Sequence, residues 1–429
     1  MECYTVRGGR AIRGRIGAQG SENAALALVA SCILTPGLVT LLGVPPLTDV
    51  HCMLTLLEEL GAVITARPET DGTLTVTVDA AGLGSDCVVL PEDQTRALRS
   101  SLFFLGALLA RVGSATMVLP DGCLTGARPI DLPESGFTAL GATVWQDHGM
   151  IGVRGERLVG TEIPLARPSL GATLNLMMAA TAAAGVTTIR NAARDPEVVA
   201  LASMLNAMGA FVHGAGSGTI RITGGEVLGG ATQRVIPDRI EVGTFLIAAA
   251  ITGGHIIVDG AASEHLRALS RLLQSAGHTP LAGPGWVGLT ASGSSQAVDL
   301  RTQPYPGFPT DLQNPILALL LTACGTSIVS ESVFEDRFSV LAGFARMGAH
   351  VSTHGRVAVV SGVSRLHGAV VRGGDDLRAT AALVLAALGA EGETVIEDTS
   401  CLHRGYHRFA EQLRALGASV TIEARMSPL

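Results

Sequence analysis

The chain has 429 residues and a formal net charge of −7; it is 47% hydrophobic, 16% charged and only 3% aromatic. This length suits two or three domains, and the aliphatic composition is typical of a well-buried globular protein. All 30 basic residues are arginines, and the negative balance argues against nucleic acid as a partner, since phosphate backbones require a basic face.

The sequence has no clear signal peptide, membrane-spanning segment or cysteine motif for a disulfide or zinc site. Residues 1–20 contain four arginines and no apolar segment, which does not fit a signal peptide. The longest apolar run, residues 315–329, is interrupted by polar residues and is short for a membrane span. The seven cysteines are scattered and form no C-x-x-C pair. We therefore expect a cytoplasmic protein with no membrane segment, no metal site, no nucleotide cofactor and no required protein partner.

A helix-to-strand junction of the form Leu-x-x-(Leu/Met)-Gly-Ala-x-Val recurs at spacings of 80, 68, 68, 71 and 69 residues. Its glycines are Gly61, Gly141, Gly209, Gly277, Gly348 and Gly417, and the copy at Gly277 is degenerate, reading Ser-Ala-Gly-His. Each junction predicts an amphipathic helix that ends at a glycine with positive φ, followed by a strand. The chain is therefore expected to repeat one α/β unit six times.

A second element recurs in the same register, an Ala/Leu-rich helix with a polar start. The six copies begin near Ser21, Arg99, Ser169, Arg239, Thr310 and Asp375. Helices that are apolar nearly all round are buried in the centre of a domain. Short Thr/Val/Ile strands fill the gaps, so the fold class is α/β, with six β/α repeats of about 70 residues grouped as two domains of three.

The polar first turns of these helices suggest an anion site, because helix N-termini present free N–H groups and a positive dipole end. The residues on these turns are Asn23, Arg99, Ser169, Gly171, Arg239, Glu241, Asp311, Asp376 and Arg378. Arginines mixed with carboxylates suit a phosphorylated substrate that also carries hydroxyls. The alternative is that Ser, Asp and Asn at these positions are ordinary N-caps.

A glycine-rich loop, residues 119–132, contains Cys123 with Arg128 five residues further on. A single cysteine is usually a small buried hydrophobe. In a glycine-rich loop near an arginine it could instead be accessible, with an altered pKa. Both interpretations of Cys123 remain open from the residues alone.

Several segments together resemble the UDP-N-acetylglucosamine enolpyruvyl transferases of peptidoglycan synthesis, in the superfamily shared with the shikimate-pathway enolpyruvyl transferase. The matching segments span nearly the whole chain and are residues 23–26, 122–131, 191–197, 237–241, 308–311, 334–337, 376–378 and 404–406. The resemblance implies a two-domain inside-out α/β barrel with three repeats per domain. It also implies domains at 22–236 and at 1–21 plus 237–429, with the active site in the interdomain cleft.

The resemblance implies that an acceptor hydroxyl adds to C2 of phosphoenolpyruvate while C3 is protonated, after which phosphate leaves. Cys123 matches the family's acid, Asp311 its candidate base, and Arg404 a further catalytic residue. Expected ligands of phosphoenolpyruvate or its phosphate are Arg99, Arg128, Arg404, Asp376 and Arg378, with Glu22 at the same site. Expected contacts to the uridine nucleotide are Asn23, Arg128, Pro129, Ile130, Asp131, Leu132, Arg167, Ser169, Gly171, Asp311 and Val333.

The chain departs from the family pattern at Glu22 and Thr48, where the family has lysines. An unscreened carboxylate near a phosphate costs on the order of a few kcal/mol. Three hypotheses follow. The default is transfer to the 3-hydroxyl of UDP-N-acetylglucosamine. The second is a specialised paralogue that acts on UMP or a related uridine nucleotide in nucleoside-antibiotic biosynthesis. The third is an inactive nucleotide-sugar-binding protein.

Overall fold

The computed structural model describes residues 1–84, 88–120 and 131–424. Its α-helices are α1 (Glu22–Ser31), α2 (Thr48–Glu59), α3 (Glu92–Ala97), α4 (Phe103–Val112), α5 (Asp131–Ala139), α6 (Leu170–Ala180), α7 (Pro196–Ala207), α8 (Arg239–Thr252), α9 (Arg267–Ser275), α10 (Gln313–Leu320), α11 (Leu341–Arg346), α12 (Leu377–Gly389) and α13 (Phe409–Ala415).

The strands, again in chain order, are β1 (Glu2–Arg7), β2 (Arg13–Gly17), β3 (Val39–Val44), β4 (Val63–Pro68), β5 (Leu74–Asp79), β6 (Val88–Val89), β7 (Ser114–Val118), β8 (Thr143–Asp147), β9 (Met150–Arg154), β10 (Glu162–Pro164), β11 (Gly185–Arg190), β12 (Phe211–His213), β13 (Thr219–Gly224), β14 (Ala231–Arg234), β15 (His255–Asp259), β16 (Thr279–Gly283), β17 (Trp286–Thr290), β18 (Leu300–Arg301), β19 (Thr326–Ser330), β20 (His350–His354), β21 (Val357–Ser361), β22 (Val370–Arg372), β23 (Glu393–Glu397) and β24 (Ser419–Ala424).

The predicted helix-to-strand junctions are confirmed. The six junction glycines all have positive φ, between 90° and 102°, and each follows one of the helices α2, α5, α7, α9, α11 and α13. At the first junction the N–H of Gly61 donates to the carbonyl of Glu58, and that of Ala62 to the carbonyl of Leu57. These bonds satisfy the last carbonyls of the helix, and only glycine adopts this backbone conformation without strain.

The repeats are also visible in the sheets. Within the described residues there are six four-stranded sheets: β14-β3-β5-β4, β6-β7-β9-β8, β10-β11-β13-β12, β16-β17-β15-β2, β18-β19-β21-β20 and β22-β23-β1-β24. Each has one parallel pair at an edge, such as β10 with β11, and antiparallel pairs elsewhere, such as β11 with β13. One β/α unit is therefore used six times.

The chain divides into two compact units. We call the unit from Gly20 to Ile236 the inserted unit. The other contains Met1–Gln19 together with the chain from Pro237 onward, and we call it the terminal unit. Residues 1–19 belong to the terminal unit because β1 pairs with β23 and β24, and β2 pairs with β15.

Each unit has a core of buried helices. In the terminal unit α8, α10 and α12 pack against one another, and in the inserted unit α4 packs against both α1 and α6. Nearly every residue of α1, α6, α8, α10 and α12 after the first turn is buried, and so is the middle of α4, as predicted from their all-round apolar sequences. Two predicted starts, Arg99 and Thr310, instead begin 3₁₀ turns that lead into α4 and α10, a common form of helix N-terminus.

Candidate active site

The turn that carries Asp311 is the best-defined part of the site. It is the 3₁₀ turn Thr310–Leu312, directly before α10. The Nη2 of Arg337 donates to Asp311 Oδ1 at 2.7 Å, and the Nη1 of Arg337 donates to the carbonyl of Thr310 at 3.4 Å. Arg337 is buried and its guanidinium lies 5.0 Å from the centre of the Phe334 ring. The Asp311 side chain is thus fixed by a rigid, planar cation.

Three arginines act on the Asp311 carboxylate. Burial alone would raise its pKa, but the positive charges of Arg337, Arg378 and Arg239 outweigh burial and lower the pKa to about 2. Arg239 is the first residue of α8 and Arg378 the second of α12. The first turns of α8 and α12 therefore lie close enough to Asp311 for their arginines to act on its carboxylate.

The carboxylates before α8 and α12 act as N-caps. Asp238 accepts from the N–H groups of Ile240 and Glu241 at 2.7 and 3.0 Å. Asp376 accepts from the N–H groups of Arg378 and Ala379 at 2.9 and 3.1 Å. The capping interpretation left open by the sequence therefore holds for Asp376, whose predicted contact with phosphate remains a prediction.

Glu241, in the first turn of α8, is a buried acid. Burial raises its pKa well above the ordinary value, helped by the negative charge of Asp238. Its oxygens accept from the backbone N–H of Gln19 at 3.3 Å and from Gln412 Nε2 at 3.4 Å. Burial therefore disfavours the charged form of Glu241 beside these arginines.

Arg404 lies on a separate 3₁₀ turn, Ser400–Arg404, and is half-buried. Glu2 anchors this turn: it accepts from Thr399 Oγ1 at 2.8 Å and contacts His403 Nε2 at 2.8 Å. The turn that presents Arg404 is therefore held by the first strand of the chain.

Sequence reasoning missed two site residues, Arg337 and Glu331. Arg337 lies in a segment that matched the family, which was a usable signal. Glu331 is buried and accepts hydrogen bonds from the loop that carries Val333 and from the turn that carries Asp311. No local sequence pattern marks it, because the two side chains that donate to it, Thr302 and Thr310, are 29 and 21 residues away in the chain.

In the inserted unit, Glu22 and Asn23 form the first turn of α1, which is capped by Ser21. The Glu22 side chain is 7% exposed, and Asn23 is half-buried. The 3₁₀ turn that begins at Arg99 packs against α1. The structure thus brings the elements carrying these three predicted residues together.

The remaining predicted residues of this unit lie around α5 and α6. Arg167 Nη2 donates to Asp131 Oδ1 at 3.3 Å, and both side chains are exposed. Ser169 caps α6 by accepting from the N–H of Ala172 at 3.3 Å. Gly171 has open space where a Cβ would lie. Leu132 is buried in the core, so its side chain is committed to packing. Cys123, Arg128, Pro129 and Ile130 lie outside the described residues.

Six repeats in two units, with a carboxylate set among arginines at helix starts, define a class of α/β enzymes that act on anionic small molecules. A family model described as EPSP synthase (3-phosphoshikimate 1-carboxyvinyltransferase) matches residues 6–413. The chain belongs to this enolpyruvyl transferase family, as predicted.

Curated relatives and a solved structure agree with this assignment. A protein of Symbiobacterium thermophilum named UDP-N-acetylglucosamine 1-carboxyvinyltransferase 1 is 46% identical over 98% of this chain and 95% of its own length. A Carboxydothermus hydrogenoformans protein named UDP-N-acetylglucosamine 1-carboxyvinyltransferase 2 is 45% identical over 98% and 99%. The crystal structure of the enolpyruvyl transferase NikO from Streptomyces tendae matches with a TM-score of 0.87 at 24% identity, covering 98% of both chains. The predicted fold class is therefore confirmed.

Helices able to span a membrane and clusters of metal ligands are both absent from the described residues. No helix in residues 1–84, 88–120 or 131–424 has the length and apolarity needed to cross a membrane. Within the same ranges, no three His, Cys, Asp or Glu side chains are grouped so that they could hold a metal ion.

Proposed function

We propose that this enzyme transfers the enolpyruvyl group of phosphoenolpyruvate to the 3-hydroxyl of UDP-N-acetylglucosamine and releases phosphate. The observation that carries the proposal is the Asp311 carboxylate among Arg337, Arg378 and Arg239. Guanidinium groups bind phosphates and carboxylates in bidentate fashion, and the carboxylate can orient a hydroxyl. The end-to-end similarity to relatives that carry this name supports the choice of acceptor.

In the proposed reaction the acceptor oxygen bonds to C2 of phosphoenolpyruvate and C3 gains a proton. The C2–O bond to phosphate then breaks, and C3 loses a proton as the double bond re-forms. We propose Asp311 as the group that receives the hydroxyl proton, Cys123 as the acid at C3, and Arg99, Arg128, Arg378 and Arg404 as ligands of the anionic groups. The uridine nucleotide is proposed to contact Asn23, Arg167, Ser169, Gly171 and Val333, together with residues 128–132.

The low pKa of Asp311 constrains its role. A carboxyl group with a pKa of about 2 is ionised at neutral pH but is a weak proton acceptor. An anionic substrate bound to Arg378 would neutralise one of the charges that depress this pKa. We therefore propose that phosphoenolpyruvate raises the pKa of Asp311, so that the base becomes effective when the substrate is present.

Glu22 favours a second candidate, transfer to UMP or a related uridine nucleotide. A largely buried carboxylate stands where the family has a lysine, and the chain contains no lysine that could replace it. A changed charge at this position is consistent with a changed acceptor.

One assay tests both candidates. Phosphate release is measured with phosphoenolpyruvate plus UDP-N-acetylglucosamine, and separately plus UMP. Under the proposal the nucleotide sugar is the better acceptor, and Asp311→Asn lowers kcat by about a hundredfold or more. Asp259→Asn, which removes an exposed carboxylate that also pairs with an arginine, Arg15, is the matched control and should change little.

The outcomes separate the hypotheses. Preference for UMP would replace the first candidate with the second, and no phosphate with either acceptor would leave a nucleotide-binding protein. Glu22→Lys is expected to increase phosphate release with UDP-N-acetylglucosamine, since it restores a positive charge beside the anions. A decrease would mean that Glu22 has a role of its own.

A further inference from the structure

Glu331 makes an unusual set of contacts for a buried carboxylate. It follows β19 and is 3% exposed. Its Oε1 accepts from Thr302 Oγ1 at 2.8 Å and from the N–H groups of Val333 and Phe334 at 2.7 and 3.0 Å. Its Oε2 accepts from Thr310 Oγ1 at 2.9 Å. Four neutral donors therefore surround one carboxylate, which offsets the cost of burying its charge.

These contacts join two segments that are distant in sequence. Thr310 immediately precedes Asp311, and Val333 begins the loop that leads to Arg337. Arg337 also joins the two segments, because it donates hydrogen bonds to the Asp311 carboxylate and to the carbonyl of Thr310. The Asp311 turn is consequently held at two points, by Glu331 through Thr310 and by Arg337 directly.

The same carboxylate also fixes the local backbone. Thr302 Oγ1, which donates to Glu331, accepts from the N–H of Ser332 at 2.9 Å. The backbone N–H of Glu331 donates to the carbonyl of Arg356 at 2.8 Å. Glu331 is thus hydrogen-bonded through both its backbone and its side chain, so its bond to Thr310 restricts the motion of the Asp311 turn.

We propose that Glu331 is a positioning residue, whose buried carboxylate locks the Asp311 turn and the Val333 loop together and so sets where the acceptor hydroxyl meets Asp311. This inference rests on the proposed function for the reaction, but the locking itself does not depend on which acceptor is used. Small displacements of a reacting group lower rates strongly, with about a hundredfold loss for a 1 Å error.

The test uses three variants of the full chain. Glu331→Ala removes all four bonds and should lower kcat by about a hundredfold, with a smaller effect on KM. Thr310→Val removes only the bond to the Asp311 turn and should lower kcat about tenfold. Glu331→Gln keeps the acceptor oxygen and can reverse the bond to Thr310, so it should recover most of the loss caused by alanine.

Thr73→Val is the matched control. Thr73 Oγ1 donates to a carboxylate oxygen of Asp71 at 2.7 Å in the inserted unit, outside the proposed site. This variant loses a comparable bond and should keep kcat within about twofold of the parent. The melting temperatures of Thr73→Val and Thr310→Val are compared, so that a loss of kcat caused by lower stability can be recognised.

Hydrogen exchange of the amides of residues 308–314 provides a readout that needs no activity. Faster exchange in Thr310→Val and Glu331→Ala, with a parent-like rate in Glu331→Gln, supports the locking even if the parent releases no phosphate. In that case the proposed function fails and the positioning of Asp311 stands. Unchanged exchange in folded Thr310→Val and Glu331→Ala, or kcat values within about threefold of an active parent, would overturn the proposal.

Discussion

Replacing Arg337 by methionine removes the cation that contacts Asp311 while keeping a long side chain in a buried position. Burial pushes the pKa of Asp311 up, and three arginines bring it down from 3.8 to about 2. A depression of this size corresponds to roughly 2 kcal/mol of stability at neutral pH. Arg337 contributes the leading favourable charge and a hydrogen bond, and its loss leaves the burial of the carboxylate less well compensated, so Arg337→Met should cost at least about 2 kcal/mol.

The pH dependence follows from the sign of the shift. Because the folded-state pKa is depressed, the stabilisation is fully present above the unfolded-state value of 3.8 and is lost as the pH falls towards 2. About half of it should remain at pH 3. The difference between the parent and Arg337→Met should therefore shrink by about half between pH 7 and pH 3.

The measurement can be confined to the terminal unit. The chain has two tryptophans, Trp145 in β8 and Trp286 in β17. In a Trp145→Phe background, urea unfolding followed by the fluorescence of Trp286 reports the free energy of unfolding of the terminal unit. A double-mutant cycle with Asp311→Asn isolates the coupling of Asp311 with Arg337.

The exposed pair Arg15–Asp259 in the same unit is the control, and a cycle with Arg15→Met and Asp259→Asn should give a much weaker coupling. A coupling between Arg337 and Asp311 no larger than that of the control would refute the reasoning. So would a coupling that stays constant between pH 7 and pH 3.

Two further predictions concern packing and thiol chemistry. Gly106→Ala in α4 would place a Cβ 2.3 Å from the carbonyl oxygen of Asn175 in α6. It should therefore destabilise the inserted unit by about 1–3 kcal/mol. Urea unfolding followed by Trp145 fluorescence in a Trp286→Phe background measures this. The control Gly171→Ala fills open space and should be neutral or stabilising; equal effects would contradict the packing argument. Burial raises the pKa of Cys401 to about 11. Iodoacetamide at pH 8 should therefore modify Cys401 about a hundred times more slowly than an ordinary thiol. Cys324 is exposed and should react readily. Mass spectrometry of the peptides checks this, and comparable modification of both cysteines in the folded protein would contradict it.

The repeat pattern was predictable because its causes are local. A glycine that ends a helix with positive φ and a helix that is apolar all round can both be recognised from a few neighbouring residues. Gly61 and Gly417 illustrate the first case, and α12 the second. Their sixfold recurrence predicted six β/α repeats, and the described residues form six sheets.

The site was predictable only in part because its chemistry depends on contacts between repeats. Asp311 was expected as a base, but its low pKa depends on Arg337, which is 26 residues away, and on the first turns of α8 and α12. Glu331 was not anticipated, since nothing in its neighbourhood indicates that Thr302 and Thr310 donate to it. The two 3₁₀ starts at Arg99 and Thr310 were missed for a smaller reason, because helix ends vary by one or two residues.

The arrangement also explains how a chain with a net charge of −7 can offer a site for polyanions. Local charge, not total charge, determines the potential at a site. Around the first turns of α8 and α12, Asp238 and Asp376 direct an oxygen towards backbone N–H groups, and burial disfavours the ionised form of Glu241. At Asp311, one negative charge is surrounded by the three positive charges of Arg239, Arg337 and Arg378. These arginines outweigh burial and lower the pKa of Asp311, so the potential at its carboxylate is positive, and the dipoles of the helix N-termini add to it.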